Sequence, residues 1–446
     1  KRLLWNTATF AQMQGTNKQY PLEIGAYNPL LGQSYGEVAA LSRSQHKSQG
    51  FGAAATVGQS TENFEFVAGE KPTTGIFDAI DFSWNRIPGS QAIQQAIAQA
   101  LQAYSIDAPE KSIPALINIK NLIAKIDNAY WKDVKTKEVD QLIIDCAGLK
   151  MESVTPQMRY ALNDKIPTST NLILRAKEVQ VLIQSVNGQP LGMELPYNES
   201  RQVQGSYVAK DNTQPYWLRK GHSLGKFEVA AEDIGFPENK NTPHTAVNLQ
   251  INGTAIAIQI PIQYRYVDPV KGELHLPISI SPLVTAALSE TSVLIQGLEK
   301  KTIAVRFDNH GATPSQYQAS IKSTKDWNIQ PAVLNLDFSS RRSIDTTLSI
   351  QAAHAEAQTE KIAFTINGDS LRSFQELSYD HIPTITWFPE AAFTLRPLAL
   401  HVPVKKVAYI HGAGDLVPES LRNIGIQVDV LKSEDMNPTL LMDYEA

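Results

Sequence analysis

One cysteine, Cys146, is all the thiol that this 446-residue chain possesses. A single cysteine excludes an intramolecular disulfide and any cysteine-built zinc cluster, and it leaves the redox compartment open. An excess of positive charge is missing as well. Forty Lys and Arg stand against 45 Asp and Glu, for a net charge of −5, so there is no basic field to hold nucleic acid. No uninterrupted apolar run approaches the ~20 residues of a membrane-spanning helix. Compact metal signatures are absent too: neither H-E-x-x-H nor H-x-x-x-H occurs. His222, His244, His275, His310, His354, His381 and His401 are scattered and read as surface or hydrogen-bonded structural residues. Cys146 has no histidine near it in sequence. Taken alone, the chain reads as holding no complete catalytic apparatus and no metal site.

What is present is a folded, multidomain composition. Apolar residues make up 42% and charged residues 19%, and the length exceeds what one ordinary core organises. The expected class is multidomain α+β, in five regions. Residues 1–88 form the first, with "RLLWN" read as a short buried strand. The stretch "SYGEVAALSRSQHKSQGFG" (34–52) reads as a helix, with Ser42, His46 and Gln49 on one face, stopped by Gly50 and Gly52. Residues 89–153 read as a compact helical array. Its first helix is expected to be capped by Ser90 and to bury Ile93, Ile97 and Leu101.

From about Val154 the period changes. "TAVNLQINGTAIAIQIPIQYRYV" and its neighbours alternate apolar with polar residues, and Asn-Gly pairs at 187–188, 252–253 and 367–368 mark hairpins. Two β-sandwiches are expected, over 154–267 and 268–402, with Trp327 as an aromatic anchor in the second. Residues 403–446 carry "KVAYIHGAGDLVPESLRNIGIQVDVL", a strand, turn, helix and strand with Pro418 in the helix's first turn. A lone Rossmann-like βαβ unit cannot bury both faces of its sheet. With the chain opening on Lys1, this leads to the expectation of a piece of a larger protein.

Two clusters invite a functional reading. "HGAGD" (411–415) offers Gly-x-Gly, yet Val417 stands where the third glycine of a dinucleotide fingerprint belongs, and Asp429 matches its acidic position only loosely. A tight turn feeding a helix is the simpler account. "PYWLRKGHSLGKFEV" (215–229) gathers Tyr216, Trp217, Arg219, Lys220 and His222, a set able to stack on a sugar and grip an oxyanion. Its bland alternative is a loop packing one Trp.

Several blocks together resemble the large PIG-L (LmbE-like) deacetylases. They are "KRLLWN", "IGAYNPLLGQSYGEVAALSRSQHKSQGFG", "FDAIDFSWNRIPG", "PYWLRKGHSLGKFEV", "YRYVDPVKGEL" and "VAYIHGAGDLVPESLRNIGIQVDVL". The resemblance implies a fragment of a zinc-dependent hydrolase that removes acetyl groups from N-acetylglucosamine-like amines or glycans. It also implies a periplasmic or secreted location. The family's His-Pro-Asp-Asp motif is not in this sequence, so zinc is expected in the parent with its ligands ahead of Lys1, and none in this fragment. Ala40, Leu41, His46, Ser48 and Gln49 match in order a family helix beside the metal cleft. The resemblance makes residues 1–88 the closing part of the family's α/β catalytic domain and implies for His46 either a place at the cleft wall or a structural polar network under it. Arg43 and Gln49 beside it, and Trp217 and Arg219 of the aromatic and cationic cluster, are the candidate substrate-binding residues. The βαβ unit resembles the start of a glutamine-amidotransferase-like domain. The rival reading is a non-catalytic carbohydrate-binding or scaffold protein whose sandwiches carry the function.

Overall fold

The computed structural model describes residues 1–7, 20–313, 315–322, 325–412, 414–435 and 437–446. It is multidomain, and its sheets are mostly sandwich-like. Strand outweighs helix by 42% to 19%, so the β regions set the architecture. The chain divides into two compact units, one of residues 1–103 with 118–137 and the other of 104–117 with 138–446.

The first unit is built on a three-stranded antiparallel sheet in the order Arg2–Asn6, Thr61–Gly69, Tyr20–Glu23. Arg2 fastens the following loop to this sheet: its guanidinium donates to the carbonyls of Glu70 (2.6 Å), Ile76 (2.7 Å) and Asp78 (3.0 Å). A five-donor fork suits this work. Gly69 sits at φ +93°, and a Cβ there would come within 2.1 Å of the Lys1 carbonyl oxygen, so only glycine fits. The first strand is not buried as expected. Leu3 and Trp5 are exposed, because alternation sends both to one face and no described element of this unit covers that face.

Three helices follow, Gln91–Ala103, Ile113–Ile123 and Ala129–Cys146. Ser90 is fully buried just ahead of the first, and its hydroxyl donates to the Ile87 carbonyl at 2.6 Å. The buried stripe of that helix is Ile93 and Ala96, whereas Leu101 is 72% exposed. Spacing by four drifts off the face of a 3.6-residue helix within two turns, which is why the 93/97/101 row does not describe the packed side. The segment 113–131 also breaks in two, and Asn128 caps the new helix by accepting the Trp131 N–H at 3.0 Å.

In the second unit an eight-stranded sheet occupies residues 149–277. Its organising strand is Thr254–Asp268, whose Ile256, Ile260 and Ile262 are buried on one face. Up to Pro261 it pairs antiparallel with His244–Ile251, and from Ile262 onward it pairs with Leu149–Thr155 and Gly272–Pro277. Proline has no N–H to give the ladder, so the change of partners falls where the ladder is weakest. The segment 266–274 is itself a hairpin tip, closed by Asp268, whose carboxylate accepts the Val270 and Lys271 N–H groups at 2.8 Å. All three Asn-Gly pairs are hairpin turns, with φ between +46° and +91° at both residues of each.

The second set of sheets runs from Val284 to Leu398, four strands ordered Val284–Leu288, Lys300–Asn309, Ser343–Ala352, Trp327–Gln330 against a six-stranded sheet. Their inward faces meet in one core that includes Phe307, Trp327, Leu348, Phe364 and Phe393. Trp327 is 1% exposed, and its indole N–H donates to the Gln358 carbonyl at 2.9 Å, so a large apolar body is buried with its polar atom satisfied. Finally, Lys406–Ile410 and Gln427–Leu431 pair in parallel across the helix Val417–Asn423, over a small core of Val407, Ile426 and Val428.

Trp327→Ala should cost about 3–5 kcal/mol, the usual range for a buried aromatic, read as a lower transition temperature of the second sheet pair by calorimetry. Leu101→Ala should change stability by no more than about 0.5 kcal/mol. A large loss at Leu101 would restore the sequence-derived face.

Candidate functional site

The polar segment after Gly32 is organised by one capping box. Ser34, only 2% exposed, accepts the Glu37 N–H (3.3 Å), while the Glu37 carboxylate accepts the Ser34 N–H (2.8 Å) and hydroxyl (3.0 Å). The signature was there to be seen as S-x-x-E at 34–37. The helix it starts, Tyr35–Arg43, is shorter than expected. Ser44 ends it: its hydroxyl accepts the Ala53 N–H at 3.2 Å, tying the helix end to the loop that follows. Lys47–Gln49 forms a separate 3-10 turn after His46, closed by Gly50 at φ +67°. Ser42, His46 and Gln49 therefore do not share a helical face. The correction has a local cause, since His46 at ψ 62° leaves the helical backbone altogether.

The structure does bring Arg43 and His46 together around Phe51. The imidazole meets the phenyl ring edge-on at 6.3 Å, and the Arg43 guanidinium lies 5.8 Å from its centroid, a cation–π arrangement. Arg43, His46 and Gln49 are all exposed. Around them the segment 27–51 exposes Tyr27, Leu30, Leu31, Tyr35 and Leu41, with Leu30 at 94%. This is an exposed aromatic and cationic surface.

Trp217 and Arg219 lie in the second unit, in and after the 3-10 turn Tyr216–Leu218. Tyr216 and Trp217 meet edge-on at 5.0 Å. Asn239 holds the turn, accepting the Tyr216 N–H at 2.8 Å and donating to the Gln214 carbonyl at 3.0 Å. Trp217 is half-buried and Arg219 exposed. Beyond them, GHSLG (221–225) spells G-x-S-x-G, a match that sequence reading passes over. Ser223 and Lys226 exchange backbone hydrogen bonds at 3.2 Å around Gly225. A nucleophile elbow needs a strand-to-helix turn, and this is a small surface loop.

Cys146 is partly buried, and burial pushes its thiol above the ordinary value, with Asp145 and Glu110 adding to the effect. It is no ready nucleophile. In the βαβ unit, Asp429 is engaged by Lys406 (3.2 Å) and by the Tyr444 hydroxyl (3.1 Å), so the acidic position of a dinucleotide site is already occupied. Ala413 of that turn lies outside the described residues. Among the described residues, no three His, Cys, Asp or Glu side chains gather in a way that could hold a metal ion. No helix among them is long and apolar enough to cross a membrane.

One site escapes sequence reasoning because its parts lie far apart in the chain. Between the two sets of sheets opens a cleft of about 800 Å³, lined by Arg159, Tyr160, Lys165, His310, Arg342 and Phe374 among others. His310 is the histidine that burial, reinforced by Arg159 and Arg342, holds below its ordinary value against the pull of Asp308. Its Nε2 is 2.8 Å from the Thr285 hydroxyl.

No family model matches the chain, and no curated protein matches it. Solved structures that align with it include domains 4 and 5 of the S-layer protein SbsC, at 9% identity over 56% of this chain and 98% of that one, with a TM-score of 0.17. Red sea bream transglutaminase aligns at 10% identity over 61% of this chain and 34% of its own, with a TM-score of 0.23. At these scores the likeness carries no argument about fold or activity.

The capping box has a pH signature. The Ser34 N–H and then its hydroxyl hold the Glu37 carboxyl below its ordinary 4.5. A folded value below the unfolded one means that this contribution is complete above pH 4.5 and is lost as pH falls through the folded value. The Ser34 amide resonance, followed from acid to neutral pH, should titrate with a midpoint under 4.5; a midpoint at or above it would show that the box is open.

Proposed function

We propose that this chain is the frame of a PIG-L-type, zinc-dependent N-deacetylase acting on N-acetylglucosamine-like substrates. In this reading, residues 1–88 close its catalytic domain and the sandwich-like sheets serve as accessory modules. The observation that carries it is the 27–51 segment: Arg43 and His46 ride on Phe51 amid uncovered large apolar side chains, the surface expected where another element of a catalytic domain packs. The sequence blocks that resemble the family add to this.

The zinc does not fit any cluster among the described residues, and no step through it is assigned to this chain. When bound in a deacetylase, zinc supplies an activated water and polarises the amide carbonyl. The role proposed for His46 is to orient groups at the cleft wall. Arg43 and Gln49 would hold the polar substrate beside it, and the parent's location would be periplasmic or secreted. A second reading, a non-catalytic carbohydrate-binding protein, is favoured by the cleft between the two sets of sheets.

In the whole protein, His46→Ala should lower deacetylation of an N-acetylglucosaminide about ten- to hundredfold at saturating zinc, the usual effect of losing a group that orients a metal site. Unchanged turnover would remove His46 from the mechanism. The chain 1–446 by itself should hold well under one zinc per molecule by elemental analysis after dialysis. A tightly held equivalent would place a metal site within this chain and defeat the reading.

A further inference from the structure

The cleft in the second unit brings together side chains from both sets of sheets. Its volume of about 800 Å³ falls within the ~300–1,000 Å³ of small-ligand sites. Its floor is the point where the two sets of sheets are joined, since Ser279–Ser281 pairs in parallel with Arg159–Ala161. A site at such a junction is held from both sides.

The lining carries three cations, Arg159, Lys165 and Arg342, and two acids, and both acids are hydrogen-bonded to their neighbours. The Asp164 carboxylate accepts the Ala161 N–H at 2.9 Å and the Ala312 N–H at 3.3 Å. Asp308 accepts the Ser343 hydroxyl at 2.6 Å and the Arg306 guanidinium at 3.0 Å. The cations keep capacity. Lys165 is exposed and has no ion-pair partner among the described residues. Arg342 gives one nitrogen to the Gly311 carbonyl and Arg159 gives one to Glu376, while a guanidinium carries five N–H donors.

The cleft also offers an aromatic surface. Phe374 is partly exposed, with the His310 imidazole stacked 5.6 Å away at 26° and the Arg159 guanidinium 5.3 Å from its centroid. Phe388, 2% exposed, backs it from below at 5.9 Å. A ring fixed on several sides is a rigid apolar platform, and the C–H face of a pyranose is suited to such a surface. Anion-gripping guanidiniums beside a fixed ring match a polyol that bears a negative group.

We infer that this cleft binds an acidic saccharide, a sugar chain bearing a carboxylate or sulfate, with Arg159, Lys165 and Arg342 meeting the anion and Phe374 the sugar ring. The inference rests on the carbohydrate-binding reading of the sheets and is independent of the deacetylase reading.

Titration calorimetry on the whole chain tests it with trigalacturonate, a sulfated heparin disaccharide and neutral galactotriose. Trigalacturonate or the sulfated disaccharide should bind at least about tenfold more tightly than galactotriose, since one hydrogen bond to a charged group is worth that much. Whichever of the two binds better identifies the anion. Lys165→Ala and Arg342→Gln, both at exposed positions, should each weaken that binding several-fold, and added salt should weaken it further. Galactotriose binding as tightly as the acidic probes would overturn the charge assignment while leaving a carbohydrate site standing. Binding by none of the three would overturn the site and the carbohydrate reading together. Wild-type affinity in both variants would place the ligand elsewhere and overturn the assignment.

Discussion

Six residues in two short strands join the β-rich unit. Arg159–Ala161 and Ser279–Ser281 run parallel, and their ends are locked by the Met158 carbonyl receiving the Ser279 N–H at 2.8 Å and the Ser281 carbonyl receiving the Leu162 N–H at 2.9 Å. Side chains complete the joint. The Thr213 hydroxyl accepts the Ile280 N–H at 2.9 Å, Ser279 shares a hydrogen bond with Thr386 at 2.8 Å, and Gln214 accepts the Phe388 N–H at 2.9 Å. Nearly every polar group here is buried, where leaving one unmade is costly. The two sets of sheets are thereby held in one relation, and the geometry of the cleft above them is a product of that joint.

What could be read in the sequence was what is decided locally. Asn-Gly at 187–188, 252–253 and 367–368 needs positive φ at both residues, and few other pairs supply it. Trp327 in an alternating stretch and Pro418 at a helix start are likewise short-range signals, and the structure uses both. Misreadings arise where a competing partner decides the outcome. The helix from Ser34 stops at Arg43 because Ser44 binds Ala53, nine residues on, and no helical period can foresee that. Leu3, Trp5 and Leu101 have apolar character but lie on faces left uncovered. The cleft was illegible for a simpler reason: Lys165 and Arg342 are brought together by strand pairing across more than a hundred intervening residues.

Chemistry is distributed differently in the two units. In the first, aromatic and cationic side chains crowd an exposed turn that has little depth. In the second, cations and a fixed ring line a real concavity.

The strand Thr254–Asp268 has a mechanical implication. Because Pro261 releases it from one partner as it takes up two others, the same piece of backbone is a beam shared by both ends of its sheet. Tension entering at either end is carried in shear by two ladders in series, with the weak link in the middle and away from the rims. The break in pairing thus lies in the interior of the sheet and not at its margins.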